Sequence, residues 1–172
     1  MPKKALVIID MLNDFVLPRA PLEVPDTRKI IPCIEREIIM ARAEDYPIVY
    51  VCDSHAPDDR EFQIWPRHCV KGTKGAQVVD ELEPEPKDIV VEKTTYSGFF
   101  NTRLEEVLRS IGATDLIITG CVTNICILYT SSDAVLRGYN VTVPRGCVAG
   151  LNKEDHEFAL RQMEKVLKVK II

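Results

Sequence analysis

"TDLIITGCVTNICILYTSSDAVLRGYNVTVP", residues 114–144, reads as strand, helix, strand, and that reading decides the architecture. TDLIITG (114–120) is a short, β-branched, nearly continuous apolar run, as expected of a strand covered on both faces. Asn124 to Arg137 carries a helical pattern, and YNVTVP (139–144) is a second apolar run. A strand followed by a helix and another strand predicts a right-handed crossover between parallel neighbours. Cys121 and Cys126 stand where the first run ends. From spacing alone they could be packed thiols, metal ligands, a disulfide pair or a nucleophile beside its oxyanion site.

Working outward, the same rhythm recurs. ALVIID (5–10), PIVYVCD (47–53), DIVVEK (88–93) and KVKII (168–172) are further strand candidates. Thr27 to Ala43, Thr102 to Ile111 and Lys153 to Leu167 are further helical patterns. The alternation predicts an α/β fold, doubly wound, with a mostly parallel sheet of about six strands and helices on both faces. One domain over residues 1–172 is expected, large enough to bury roughly 70% of the surface its unfolded chain exposes. Val51 to Asp88 interrupts the rhythm with prolines at 57, 66, 84 and 86. It carries the only tryptophan and two of the three histidines, so it is read as a functional loop.

Composition excludes several classes. The net charge of −4, with both signs intermixed, leaves no basic stripe for nucleic acid. No run reaches membrane-spanning length, and the apolar run after Lys3 and Lys4 meets Asp10 too early for a signal-peptide core. The partner expected is a small molecule. Six cysteines without regular spacing do not form a secreted disulfide framework, which points to a reducing cytoplasm. Scarce glutamine and 28% charged residues are in keeping with a thermophile.

In open parallel sheets ligands bind beyond the carboxyl ends of the strands, so the residues that end the apolar runs matter most. Asp10 ends the first, Asp53 the second and Lys93 the third, while Gly120 and Cys121 open the turn leading to Cys126. Singly, Asp10 is as well read as a helix cap and Lys93 as a solvated lysine. Together, an aspartate, a lysine and a cysteine at one sheet edge provide a proton acceptor, a cation and a thiol. Cys126 falls at a helix start, where amide donors and the helix dipole lower a thiol pKa, so Cys126 is expected to be reactive and Cys121 packed. In CDSHAP, Asp53 and His55 project to one side of an extended segment, and His68 in WPRHCVKG could return to them. One carboxylate and two imidazoles suit zinc, iron or manganese with positions left open; two surface histidines are the alternative. Cys69, adjacent to His68, is discounted as a ligand. His156, Asp133 and Tyr139 receive no site role.

ALVIIDMLNDF, EKTTYSGFFNT and ITGCVTNICILYTSSDAVLRGY, in this order, resemble the isochorismatase-like cysteine hydrolases. CDSHAP followed by WPRHCVKGTKGA resembles the nicotinamidase, or pyrazinamidase, branch. The resemblance covers nearly the whole chain. It implies Asp10, Lys93 and Cys126 as a catalytic triad and Asp53, His55 and His68 as ligands of a divalent metal. It also implies Phe15 and Trp65 as aromatic walls, a cis peptide between Cys121 and Val122, and the Val122 and Cys126 amides as an oxyanion hole. The activity implied is hydrolysis of a carboxamide such as nicotinamide through a thioester, by a homodimer or larger homo-oligomer. Two departures stand out: Leu12 replaces a glutamine common in the family, and where some relatives have a third metal-loop histidine this chain has Asp58 and Asp59. Alternatives are hydrolysis of another small amide or carbamoyl compound, a redox-responsive binding protein using Cys126, and a structural metal module. The last lacks a four-ligand cysteine-rich cluster.

Overall fold

The protein is described by a computed structural model covering residues 3–172. Its strands are β1 (Lys4–Ile9), β2 (Ile48–Asp53), β3 (Ile89–Lys93), β4 (Asp115–Cys121), β5 (Asn140–Val143), β6 (Val148–Ala149) and β7 (Lys170–Ile171). All pair in parallel in the order β3-β2-β1-β4-β5-β7, with β6 added to the end of β4. The helices are α1 (Asn13–Val16), α2 (Thr27–Ala43), α3 (Leu104–Ser110), α4 (Leu128–Leu136) and α5 (Lys153–Lys165).

Side chains alternate across a strand, and β1 shows what that does here. Ala5, Val7 and Ile9 join a buried cluster with Leu104 and Leu108 of α3, Ala134 of α4 and Leu160 and Met163 of α5. Leu6 and Ile8 point the other way, to Phe15 and Val16 of α1 and Ile30, Ile31 and Ile34 of α2. Both faces are therefore covered, which is why the strands read as continuous apolar runs.

The open parallel sheet follows the sequence expectation, with local differences. The α2 bounds agree with the periodicity, but α4 begins at Leu128, because residues Thr123–Ile127 wind as a wider π-type turn. The two-residue β6 and four-residue α1 are too short to show a period. The Val51–Asp88 interruption contains the end of β2 and then three short 3-10 turns, Arg60–Gln63, Lys74–Ala76 and Asp80–Leu82. Cys33 of α2 is disulfide-bonded to Cys147, a pairing that spacing did not indicate; Cys52, Cys69, Cys121 and Cys126 are free and buried. Among the described residues no helix is long and apolar enough to cross a membrane.

Candidate active site

Parallel register brings the ends of β1, β2, β3 and β4 into one line. Ile9 is level with Gly120 and with Val51, and Asp53 is level with Lys93. Gly120 makes this approach possible: its φ is +112°, and a Cβ there would lie 1.9 Å from the Ile9 carbonyl oxygen. Asp10, just past β1, adopts the left-handed conformation at φ 53°. Its Oδ1 accepts the Asp53 amide at 2.8 Å, and its carbonyl accepts the Cys121 thiol at 3.2 Å. Cys121 is thus a packed, hydrogen-bonded thiol.

Lys93 is the hub. Its buried Nζ lies 2.7 Å from Asp10 Oδ2, 2.5 Å from Asp53 Oδ1 and 3.5 Å from Cys126 Sγ, and it donates to the Thr95 carbonyl at 3.0 Å. Burial opposes its charge, but the facing carboxylates of Asp10 and Asp53 overcome this and hold the amine protonated. Burial likewise opposes a charge on Asp53, yet Lys93 and the facing imidazoles of His55 and His68 prevail, and its carboxyl lies far below the usual range. Asp10 goes the other way: burial, and then the Asp53 charge, raise it to about 6 against the pull of Lys93. Burial also pushes the Cys126 thiol well above its usual range, with Lys93 opposing. This corrects the sequence expectation of a lowered thiol pKa. Desolvation outweighs the nearby Lys93 cation at this helix start.

The second half of the site is apolar and histidine-rich. Asp53 Oδ2 faces His55 Nε2 at 3.5 Å and His68 Nε2 at 3.6 Å, and one ligand atom from each residue falls within 4.8 Å of the others. The opposite ring nitrogens are occupied: His55 Nδ1 is 3.0 Å from Asp59 Oδ2, and His68 Nδ1 is 2.6 Å from the Pro66 carbonyl. His55 Nε2 is buried without a hydrogen-bond partner. Fixed Nδ1 partners with Nε2 nitrogens converging on a carboxylate are what a divalent cation requires, so the residues fit a metal. Cys69 stays outside this cluster, its amide bonded to Asp14 Oδ2 at 2.8 Å.

A narrow cleft connects the halves, lined by Phe15, Trp65, Val122 and Cys126, with Asp53 and His68 also on its wall. The Phe15 ring sits edge-on to His68 at 5.3 Å. All the residues singled out in the sequence therefore meet in one place, and the peptide between Cys121 and Val122 is cis. Sequence reasoning missed others. Tyr96 and Glu61 also line the cleft, and Tyr96 Oη accepts the Trp65 indole N–H at 3.1 Å. Asn13 and Asp14 anchor the loop bearing His68, through the Lys74 carbonyl at 2.8 Å and the Cys69 amide. Their only signal was their place in the NDF motif. Leu12 is wholly buried among apolar residues beside α2 and bridges to Val78, so no polar group stands there.

The sequence profile described as the isochorismatase domain matches residues 4–170, and the chain belongs to that family of isochorismatase-like hydrolases. Among solved structures it is similar to the pyrazinamidase of Pyrococcus horikoshii in complex with zinc, at 34% identity, TM-score 0.93 and 99% coverage of each chain. It is also similar to the N-carbamoylsarcosine amidase of Thermoplasma acidophilum, at 36% identity and TM-score 0.90, covering 98% of this chain and 95% of that one. A probable inactive nicotinamidase of Arabidopsis thaliana is 34% identical over 173 residues, covering 94% of this chain and 88% of that protein.

Proposed function

We propose that this hydrolase is a cysteine amidohydrolase that converts nicotinamide, or the related pyrazinamide, to the acid and ammonia. The observation that carries the reading is the position of Lys93 Nζ, which touches Asp10, Asp53 and Cys126 at once and so joins a proton acceptor to a thiol at the wall of the cleft. Asp10 takes the Cys126 proton and the sulfur bonds to the carboxamide carbon. The carbonyl π electrons move to oxygen, where the amides of Val122 and Cys126 receive the charge. Collapse breaks the C–N bond, and Asp10 returns its proton to the departing ammonia. A water, deprotonated by Asp10, then attacks the thioester; the acid leaves and the thiol is restored. A carboxyl held near 6 is suited to accepting and donating the same proton at neutral pH.

Phe15 and Trp65 would flank the substrate ring. Asp53, His55 and His68 would hold a divalent ion, zinc, iron or manganese, which when bound supplies an electrophilic anchor for the ring nitrogen or its water. Zinc is favoured by the likeness to the P. horikoshii enzyme. The likeness to an N-carbamoylsarcosine amidase favours a second reading, a carbamoyl substrate with the same nucleophile. Self-association belongs to this proposal as well, and sedimentation at the mass of one chain would remove it.

The deciding measurement is ammonia release from nicotinamide, pyrazinamide and N-carbamoylsarcosine, each with and without chelator. Release from the ring amides, reduced by chelation, is expected. Release from the carbamoyl compound alone would move the proposal to the second reading, and none from any substrate would sink it.

A further inference from the structure

The chemistry above asks the Val122 and Cys126 amides to keep one relative position, so whatever fixes the turn between them contributes to rate. Thr123 follows Val122 and is wholly buried, with its Oγ1 2.9 Å from Nδ1 of His156. His156 stands on the first turn of α5, 33 residues along the chain and away from the cleft lining. Its placement is fixed from three sides. Asn152 caps α5 by accepting the Asp155 amide at 2.9 Å, and the Asn152 carbonyl accepts the His156 amide at 3.2 Å. Gly150 follows β6, whose Ala149 is level with Cys121, and a Cβ at Gly150 would come 3.1 Å from the His156 Cβ. The strand end, the helix start and the nucleophile turn thereby meet at one residue, His156.

We propose that His156 is a positioning residue for amide hydrolysis, holding the Thr123 hydroxyl and so fixing the Val122 amide that receives the oxyanion. The inference rests on the assignment of Cys126 as nucleophile and of these amides as oxyanion donors. Removing either partner leaves the other buried and unpaired, a penalty that local rearrangement relieves, and here the segment that would rearrange carries the oxyanion donor. A displaced oxyanion donor weakens transition-state binding and leaves ground-state binding of the ring largely alone. Loss of His156 should therefore be read in kcat and not in KM.

Asparagine and glutamine separate this role from general support of the fold. The Asn side-chain amide reaches the position of Nδ1, whereas that of Gln extends toward Nε2. With nicotinamide, or N-carbamoylsarcosine if that is the amide the wild type turns over, His156→Asn should keep kcat within about three-fold. His156→Gln and Thr123→Val should each lower kcat by about ten-fold or more with KM within about two-fold. The double variant His156→Gln/Thr123→Val should fall no further than the singles, because they remove one interaction. Alkylation of Cys126 by iodoacetamide should keep its wild-type rate in all of them. Equal kcat for His156→Asn and His156→Gln, a loss confined to KM, or additive losses in the double variant would each overturn the role. Cys126→Ala is the control. If it is inactive while the His156 and Thr123 variants are unimpaired, only the positioning role falls; if it keeps wild-type turnover, the nucleophile assignment falls and this inference with it.

Discussion

Asp53 offers one carboxylate oxygen to Lys93 Nζ, at 2.5 Å, and the other to the two imidazoles, so a single side chain belongs to both halves of the site. The thiol cluster and the proposed metal pocket are therefore electrostatically joined, and substitutions on either side of Asp53 should separate them.

His68→Ala, on the far side, should weaken nicotinamide binding and turnover while Cys126 alkylation stays within about two-fold of wild type. Asp53→Asn should instead speed alkylation at neutral pH, because the Asp53 charge helps hold the Cys126 thiol above its usual range. Slower or unchanged alkylation in Asp53→Asn would argue against the shared carboxylate.

The pH dependence follows from Asp10. Its carboxyl is raised to about 6 by burial and the Asp53 charge, and only the ionised form can take the Cys126 proton. Protonation below that point removes the acceptor, so kcat/KM should fall about ten-fold per pH unit on the acid side. A flat kcat/KM from neutrality to pH 5 would exclude Asp10 as the base.

The two cysteines of the nucleophile turn should behave differently. Cys126→Ala should abolish turnover in a folded protein. Cys121→Ala loses only a weak thiol bond to the Asp10 carbonyl and should retain activity within about ten-fold. Peptide mapping after iodoacetamide should find Cys126 labelled first, with Cys33 and Cys147 protected by their bond.

Gly120→Ala is expected to be among the most disruptive single changes, since it places a methyl group against the Ile9 carbonyl at a backbone angle that alanine avoids. A loss on the order of 3–5 kcal/mol, read as a shift in the denaturant midpoint, is anticipated.

Asp59→Ala should weaken metal binding without removing a proposed ligand. Its Oδ2 fixes the His55 ring through Nδ1, and losing such a partner typically costs about 10- to 100-fold in affinity. Competition with a chromogenic chelator would measure it.

What could be read in advance depended on whether a residue's role was written locally. Asp10, Asp53 and Lys93 were legible because each ends an apolar run, and parallel sheets bring such ends together. The ring of contacts behind them was not. Asp59 matters through an imidazole, Asp14 through the Cys69 amide 55 positions away, and Tyr96 through the Trp65 indole. None of these pairings leaves a period or a spacing. The upward shift of the Cys126 thiol is hidden for a related reason: a helix start and a nearby lysine can be read from sequence, but the depth of burial that opposes them cannot.

The bond between Cys33 and Cys147 turns the chain between them into a covalent ring. Asp53, His55, His68, Lys93 and Cys126 all lie on that ring, while Asp10 and His156 approach it from the two free arms. A protease that cuts the exposed stretch around Pro57 or Arg67 would therefore open a circle and release no fragment. The nicked protein would migrate as one species until reduced.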